Sequence, residues 1–110
     1  MTDTADREVR KAMSVQMVIE LADRQGSQAV LQALETYKAR LRDSIERTRR
    51  RLTEFEHHYQ VTTAHFLAEM AAEDLSGGDA EYVEWAGEVR LLAGLEAELR
   101  ELEHARYQLP

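Results

Sequence analysis

The chain contains no cysteine, so disulfide bonds and thiolate metal sites are excluded. Its only proline is the last residue, and three of the five glycines, Gly26, Gly77 and Gly78, stand where helices are expected to end. The alternation of apolar and polar residues that marks a strand is nearly absent. These absences predict an all-α protein, with the 110 residues forming a single helical domain.

Long hydrophobic runs are missing as well. No stretch approaches the roughly 20 apolar residues that a membrane-spanning helix needs. The N-terminal residues are polar and lack the apolar centre of a signal peptide. We therefore expect a soluble, cytoplasmic protein without membrane contact. Aromatic residues make up 6% of the chain and charged residues 32%, which is typical of a slender helical assembly rather than of a thick globular core.

Charge is distributed unevenly along a chain whose net charge is −7. Residues 1–51 carry 11 basic and 8 acidic side chains, a net of +3, whereas residues 52–110 carry 3 basic and 13 acidic side chains, a net of −10. Halves of opposite sign can pack against each other or against a second copy of the chain. The overall negative charge disfavours nonspecific binding to nucleic acid.

Residues 27–59 are predicted to form one long helix, because apolar side chains recur there at steps of three and four without glycine or proline. Lys38 and Thr48 fill the two polar positions of this ladder. Its average step of 3.5 residues is the period of a coiled coil. A helix of roughly 45–50 Å needs a partner along its length to bury such a seam. The apolar ladder consists of Leu31, Leu34, Leu41, Ile45, Leu52, Phe55 and Tyr59.

A second ladder predicts another long helix over residues 80–107, with Asp79 as its N-cap. Two shorter helices complete the prediction. One runs from about residue 6 to residue 24, ends at Gly26, and leaves Ser27 as the N-cap of the long helix. The other covers about residues 63–75 and is capped by Thr62 or Thr63. The apolar ladder of the second long helix consists of Trp85, Val89, Leu92, Leu95, Leu99 and Leu102.

These elements predict an antiparallel helical hairpin over residues 27–107, with the short helix at its turn. The N-terminal helix, residues 6–25, would cover an open side, and residues 1–5 would be flexible. Two long helices leave apolar surface exposed, so we expect a twofold homodimer with a coiled-coil-like four-helix core. The residues expected in the core or the dimer contact are Leu41, Ile45, Leu52, Phe55, Tyr59, Phe66, Trp85, Val89, Leu92 and Leu99.

Two glycines, Gly87 and Gly94, lie inside the second long helix at a spacing of seven residues, and therefore on nearly one face. Each costs about 1 kcal/mol of helix stability relative to alanine. A close approach of another helix would explain them, and a local weakness of the helix is the alternative.

Four acidic residues of the second long helix, Glu81, Glu84, Glu88 and Glu96, form the predicted surface for a basic protein partner. The first three share a helix face, so a Mg²⁺ or Ca²⁺ site is an alternative. The region lacks the ligand spacing of an EF-hand, however. Solvated acids that match the positive end of the helix dipole are the simpler interpretation for these three.

Four arginines, Arg47, Arg49, Arg50 and Arg51, could contact phosphates. They spread over more than half of the helix circumference, and no aromatic residues are interleaved for base stacking. Pairing with glutamates of the second long helix, or docking of an acidic partner, is the favoured interpretation. A nucleic-acid-binding face is the alternative.

Motifs that would indicate a metal site or a catalytic site are weak or absent. His65 and Glu69 are four residues apart and could reach one metal ion, but a zinc site usually needs three protein ligands. Solvent-facing histidines near a helix end are the favoured interpretation for His57, His58 and His65. No nucleophile elbow, Walker loop or dinucleotide fingerprint occurs. We therefore expect no catalytic residue, no resident metal or cofactor, and no enzymatic activity.

One block of the sequence, residues 52–102, resembles a family of small helical prokaryotic proteins that are regarded as antitoxin-like partners of small toxins. The pattern combines an F-E-x-x-Y segment, a following threonine and phenylalanine, and an acidic stretch that leads into E-x-x-E-W and a leucine-rich helix. It is carried here by Phe55, Glu56, Tyr59, Thr63, Phe66, Asp79, Glu81, Glu84 and Trp85. The resemblance implies a non-enzymatic interaction module that covers a basic surface of a cognate toxin. A nucleic-acid-associated protein and a metal-binding protein remain the alternatives.

Overall fold

The computed structural model describes residues 14–70 and 79–107, and the regular elements in these two ranges are all helical. Helix α1 is Arg24–Tyr59, 36 residues long. The single turn α2, Thr63–His65, continues directly into a π-helical turn, Phe66–Met70. Helix α3 is Ala80–His104, 25 residues long. The all-α prediction is therefore confirmed for the part of the chain that the structure describes.

The N-terminal helix expected over residues 6–24 is not present where the structure describes it. Residues 14–21 have no regular structure and are exposed, and residues 1–13 lie outside the described ranges. Val15, Val18 and Ile19 are β-branched, which lowers helix propensity. A short helix without tertiary packing is only marginally stable in water, and these three side chains are more than half exposed.

Helix α1 begins three residues earlier than the sequence predicted. Asp23, with an extended backbone, is its N-cap, and its carboxylate accepts a hydrogen bond from the Gly26 amide at 3.1 Å. The prediction of Ser27 as N-cap was therefore wrong, and its hydroxyl instead donates to the carbonyl of Arg24 at 2.7 Å. Asp23 acts as the cap because its carboxylate accepts from a first-turn amide that has no partner within the helix.

The chain turns after α1 where the sequence predicted. The helix ends at Tyr59, and Gln60 adopts the left-handed conformation with φ of 56°. Thr62 then caps α2, its hydroxyl accepting from the His65 amide at 3.0 Å. A carboxylate oxygen of Glu56 accepts the Thr63 amide at 2.7 Å, which ties the turn back to α1. The helix expected over residues 63–75 is helical as far as residue 70, but it changes from α-helical to π-helical at residue 66. Its predicted remainder, residues 71–75, lies outside the described ranges.

Asp79 caps α3 as predicted, since its carboxylate accepts from the amides of Glu81 at 3.0 Å and Tyr82 at 3.4 Å. The helix ends at His104, three residues before the predicted end, because Ala105 adopts an extended ψ of 139°. Helix α3 is about 37 Å long and α1 about 54 Å at 1.5 Å per residue. The first turns of α1 therefore extend beyond the reach of α3.

Helices α1 and α3 pack side by side in opposite directions. As the residue number rises along α1, the partner number falls along α3, in the order Tyr37–Glu98, Arg49–Glu96, Arg51–Glu88 and Tyr59–Glu81. The two long helices are therefore antiparallel. The sequence predicted this arrangement from their matching apolar seams and their opposite flanking charges.

The seam of α1 is buried at its middle, including both polar positions of the ladder. Leu41 and Ile45 are 4% and 5% exposed, and Lys38 and Thr48 are also buried. The Lys38 ammonium lies 2.7 Å from a Glu35 carboxylate oxygen, and this hydrogen bond raises the pKa of Lys38. The Thr48 hydroxyl donates to the Ser44 carbonyl at 2.8 Å. Both polar groups are thus satisfied within α1, so the seam can be buried without an unpaired donor.

An aromatic cluster closes the turn end of the hairpin. Trp85 and Phe66 are fully buried and stack at a centroid distance of 4.0 Å. Phe55 stacks on Trp85 at 5.4 Å, and Tyr59 lies at 5.6 Å. The indole N–H of Trp85 donates to the Thr63 hydroxyl at 3.1 Å, so its one polar group is paired. The sequence placed Trp85 in the core, and this is confirmed.

Burial along the two seams is incomplete. Of the ten residues predicted for the core or dimer contact, four are buried: Leu41, Ile45, Phe66 and Trp85. The other six are only half-buried: Leu52, Phe55, Tyr59, Val89, Leu92 and Leu99. Two helices touch along one line only, so a second side of each seam remains in contact with water.

Replacing Gly94 with alanine is expected to raise the free energy of unfolding by about 1 kcal/mol, because alanine favours the helical backbone and nothing lies within 4 Å of the added methyl group. Gly87 lies in equally open space, so close packing against the described residues explains neither glycine. Urea unfolding followed by circular dichroism measures the change. A loss of stability in the Gly94 variant would show that another helix approaches this face in solution.

Candidate functional site

The four glutamates predicted to bind a partner all contact side chains of α1. The Tyr59 hydroxyl donates to Glu81. The guanidinium of Arg51 lies 3.2 Å from Glu88 and 3.9 Å from Glu84. The fourth, Glu96, pairs with Arg49 at 3.0 Å. Glu84 is the most solvated of the carboxylates in these ion pairs, with its side chain 63% exposed against 20% for Glu88 and 33% for Glu96.

Two of the four arginines that the sequence singled out, Arg49 and Arg51, are the cations of these cross-helix pairs. This confirms the favoured interpretation, pairing with glutamates of the second long helix, for both residues. Arg47 donates instead to the Ser44 hydroxyl at 3.2 Å, and Arg50 lies 4.0 Å from Glu46 one turn earlier. The four guanidiniums therefore serve different neighbours and do not form one cationic face.

The phenol of Tyr59 is held in its protonated form. Its hydrogen bond to Glu81, together with burial and the nearby negative charge, raises the pKa of Tyr59 to about 12. A hydrogen bond to Glu98 likewise raises the pKa of Tyr37. Both phenols act as donors to carboxylates of α3, so each replaces a basic residue in fastening the two helices. Sequence reasoning missed the Tyr37–Glu98 contact, because Tyr37 lies one position outside the ladder.

Among the described residues, the proposed metal site at His65 and Glu69 gains no third ligand. His65 and Glu69 are both exposed, one in α2 and one in the π-helical turn. His58 packs edge-on against the Tyr59 ring at 4.7 Å. Within residues 14–70 and 79–107, no three histidine or acidic side chains gather closely enough to hold a metal ion.

A segment near the N-terminus carries the most exposed large hydrophobic side chains in the described ranges. In Val15–Leu21, here called the apolar segment, the exposed fraction reaches 93% for Val15, 85% for Val18 and 81% for Met17. Ile19 and Leu21 are 55% and 41% exposed. The sequence predicted a helix with a buried face here, so this exposed surface could not be recognised from the apolar pattern alone.

A groove of about 520 Å³ lies between α1 and α3 on one face of the hairpin. Ile45 and Leu99 form its floor. Its rims carry three cations and three anions: Arg42, Glu46 and Arg49 from α1, and Glu96, Arg100 and Glu103 from α3. The groove is open to solvent and polar at its rims, which suits a protein surface better than a small molecule that must be enclosed.

Comparison with known proteins adds no relative: no family model, no curated protein and no solved structure matches the chain. None of the helices in the two described ranges combines the length and apolar character needed to cross a membrane. The two candidate sites on the described surface are the apolar segment and the charged groove.

Proposed function

We propose that this chain is a non-enzymatic helical protein–protein interaction module, acting in the cytoplasm as the antitoxin-like partner in a two-component prokaryotic system. The observation that carries the proposal is the exposure of the apolar segment beside a well-fastened helical hairpin. The resemblance over residues 52–102 supports the class of partner, a cognate toxin.

The physical reason is the free energy of the exposed side chains. Fully burying a valine, isoleucine or methionine side chain contributes about 1.5–3 kcal/mol relative to leaving it in water. Val15, Met17 and Val18 gain little of this burial free energy from the hairpin, since all three are more than 80% exposed. A segment without regular structure can order itself on a partner at the moment of binding, and the apolar burial then offsets the ordering entropy.

The acidic surface takes a supporting role in this proposal. Glu81, Glu88 and Glu96 already fasten α1 to α3, so an incoming cation must compete with groups in place. Glu84 is more exposed than Glu88 and Glu96, and its arginine neighbour, Arg51, is 3.9 Å away. The acidic half therefore steers a basic partner, and the apolar segment supplies the affinity.

The interactions of the arginines favour this function over nucleic-acid binding. Phosphate contacts need arginines whose charge is available at the surface. Arg49 and Arg51 are paired with carboxylates of α3, which cancel their charge locally.

Co-purification with the product of the adjacent gene tests the proposal. Replacing Val15 and Met17 with aspartate is expected to weaken that complex about tenfold or more, because two charges would have to be buried in an apolar contact. Isothermal titration calorimetry at micromolar concentrations measures the dissociation constant. The thermal melting curve of the chain should not change, because neither side chain packs on the hairpin.

The matched control replaces Val83 and Leu91 with aspartate. These two α3 residues are also exposed, at 50% and 49%, and the charge change is identical. We expect this control to bind like the unchanged chain. If the chain stays alone beside the neighbouring product, or if both double variants bind equally well, the proposal is wrong.

A further inference from the structure

The two faces of the hairpin are fastened differently. Arg49 and Arg51 are two residues apart, about 200° around the helix, and therefore point to opposite faces. Arg51 closes one face through Glu84 and Glu88, while Arg49 pairs only with Glu96, at one end of the groove. The rest of the groove face has no cross-helix bond in the described structure.

The Arg49–Glu96 contact sets the register of the groove's charges. Arg42 comes seven residues before Arg49, and Glu103 comes seven after Glu96, so both lie about 10.5 Å along their antiparallel helices from that pair. Glu46 is three residues before Arg49, and Arg100 is four residues after Glu96. Measured along the helices, Glu46 and Arg100 therefore lie within about 1.5 Å of each other. The groove thus has three levels, and each level has a cation on one rim and an anion on the other.

Most of these charges are unused within the chain. Arg42, Arg100 and Glu103 form no ion pair with any residue in the described ranges, and Glu46 has only the distant Arg50 at 4.0 Å. The rim charges sum to zero, so the groove as a whole attracts neither a purely acidic nor a purely basic ligand. Its order is positive, negative, positive along α1, and the reverse along the facing rim of α3.

We propose that the groove is the interface of a homodimer, occupied by the same face of a second copy. Around a twofold axis parallel to the helices, α1 of one copy lies over α3 of the other. Arg42 then meets Glu103, Glu46 meets Arg100, and Arg49 meets Glu96, with each pair formed twice. The half-buried Leu99 at the groove floor is covered at the same time.

This pairing makes the groove self-complementary, as an isologous contact requires, and it completes a four-helix arrangement. The inference rests on the proposed function, because it specifies how the interaction module assembles. It uses neither the apolar segment nor the closed face, which stay available for the partner.

Charge reversal tests the interface. The acidic variant Arg42→Glu/Arg100→Glu and the basic variant Glu46→Arg/Glu103→Arg each place like charges opposite each other at two levels. Each alone is expected to dissociate at least about tenfold more readily than the unchanged dimer. Mixed in equal amounts, the two variants restore opposite charges at every level, so a mixed dimer of near-original affinity is expected. Sedimentation velocity over a concentration series measures the dimer dissociation constant of each variant and of their equal mixture.

The control Arg40→Glu/Arg90→Glu makes the same charge change outside the groove and should dimerise normally. Circular dichroism checks that every variant is helical, and recovery on mixing shows that the variants remain folded. If both charge-reversal variants dimerise like the unchanged chain, the proposed interface is wrong, but the proposed function is not affected. A chain that is monomeric at high micromolar concentration overturns the dimer, while its complex with the neighbouring product reports on the proposed function separately.

Discussion

The Trp85→Ala variant is expected to lose about 3–5 kcal/mol of its free energy of unfolding. Trp85 is fully buried, stacks on Phe66 and Phe55, and donates its indole N–H to Thr63. Truncation to alanine leaves a cavity at the point where α1, the turn and α3 meet. Because small domains are stable by only about 5–15 kcal/mol, a large part of the stability would be lost. Urea unfolding at one fixed protein concentration measures it.

The Trp85→Phe variant is the control for this experiment. It keeps an aromatic ring in the stack and removes the indole N–H, so its loss should be less than half of that of the alanine variant. An alanine variant within about 1 kcal/mol of the unchanged chain would contradict the fully buried position of Trp85.

The Leu41→Ala variant is expected to lose about 2–5 kcal/mol, because Leu41 is 4% exposed and lies in the seam between the two long helices. The Leu91→Ala variant makes the same chemical change on the same hairpin, at a position that is 49% exposed. We expect that control to change stability by no more than about 0.5–1 kcal/mol.

Chemical unfolding of both leucine variants at the same protein concentration compares them directly. Equal losses would mean that Leu91 is buried in solution, by a second copy or by another partner on the outer face of α3. A negligible loss for Leu41 would mean that the two long helices do not pack along their seams. The pair of variants therefore tests the packing of the hairpin independently of any binding experiment.

The two ends of the hairpin have different physical properties, and this bears on its function. The turn end is closed by stacked rings and by caps from Thr62 and Asp79. The other end leaves the leucine seam of α3 half-buried and lies near the exposed apolar segment. A surface that remains apolar beside a stable scaffold is the usual mark of an interaction site. Both proposals place their contacts on the less closed parts of the molecule.

Local chemistry explains which features could be predicted. Asp79 and the threonine at residue 62 follow from rules that depend on a few neighbouring residues, and both caps are confirmed. The seam of α1 followed from its period, and even the polar members Lys38 and Thr48 are buried as the ladder required. The pairing of Arg49 and Arg51 with glutamates followed from the opposite charges of the two halves of the chain.

The failures lie where tertiary contacts outweigh local pattern. Residues 14–21 have enough apolar side chains for a helix, but Val15, Met17 and Val18 are more than 80% exposed, so the pattern alone was misleading. The contacts that α1 makes with the predicted partner surface, Glu81, Glu84, Glu88 and Glu96, also depend on tertiary structure, and the binding of a partner there stays a prediction. The groove and its three charge levels could not be read in advance, because they depend on the register of one helix against the other.

The sequence by itself determined that two long helices form, where α1 ends and α3 begins, and which side of each is apolar, because these properties depend on residues within one or two turns. Only the tertiary structure decided which charges are consumed between the helices, which remain on the groove rims, and which apolar residues stay in water. Those outcomes depend on the relative rotation and register of α1 and α3, to which side chains far apart in the chain contribute together.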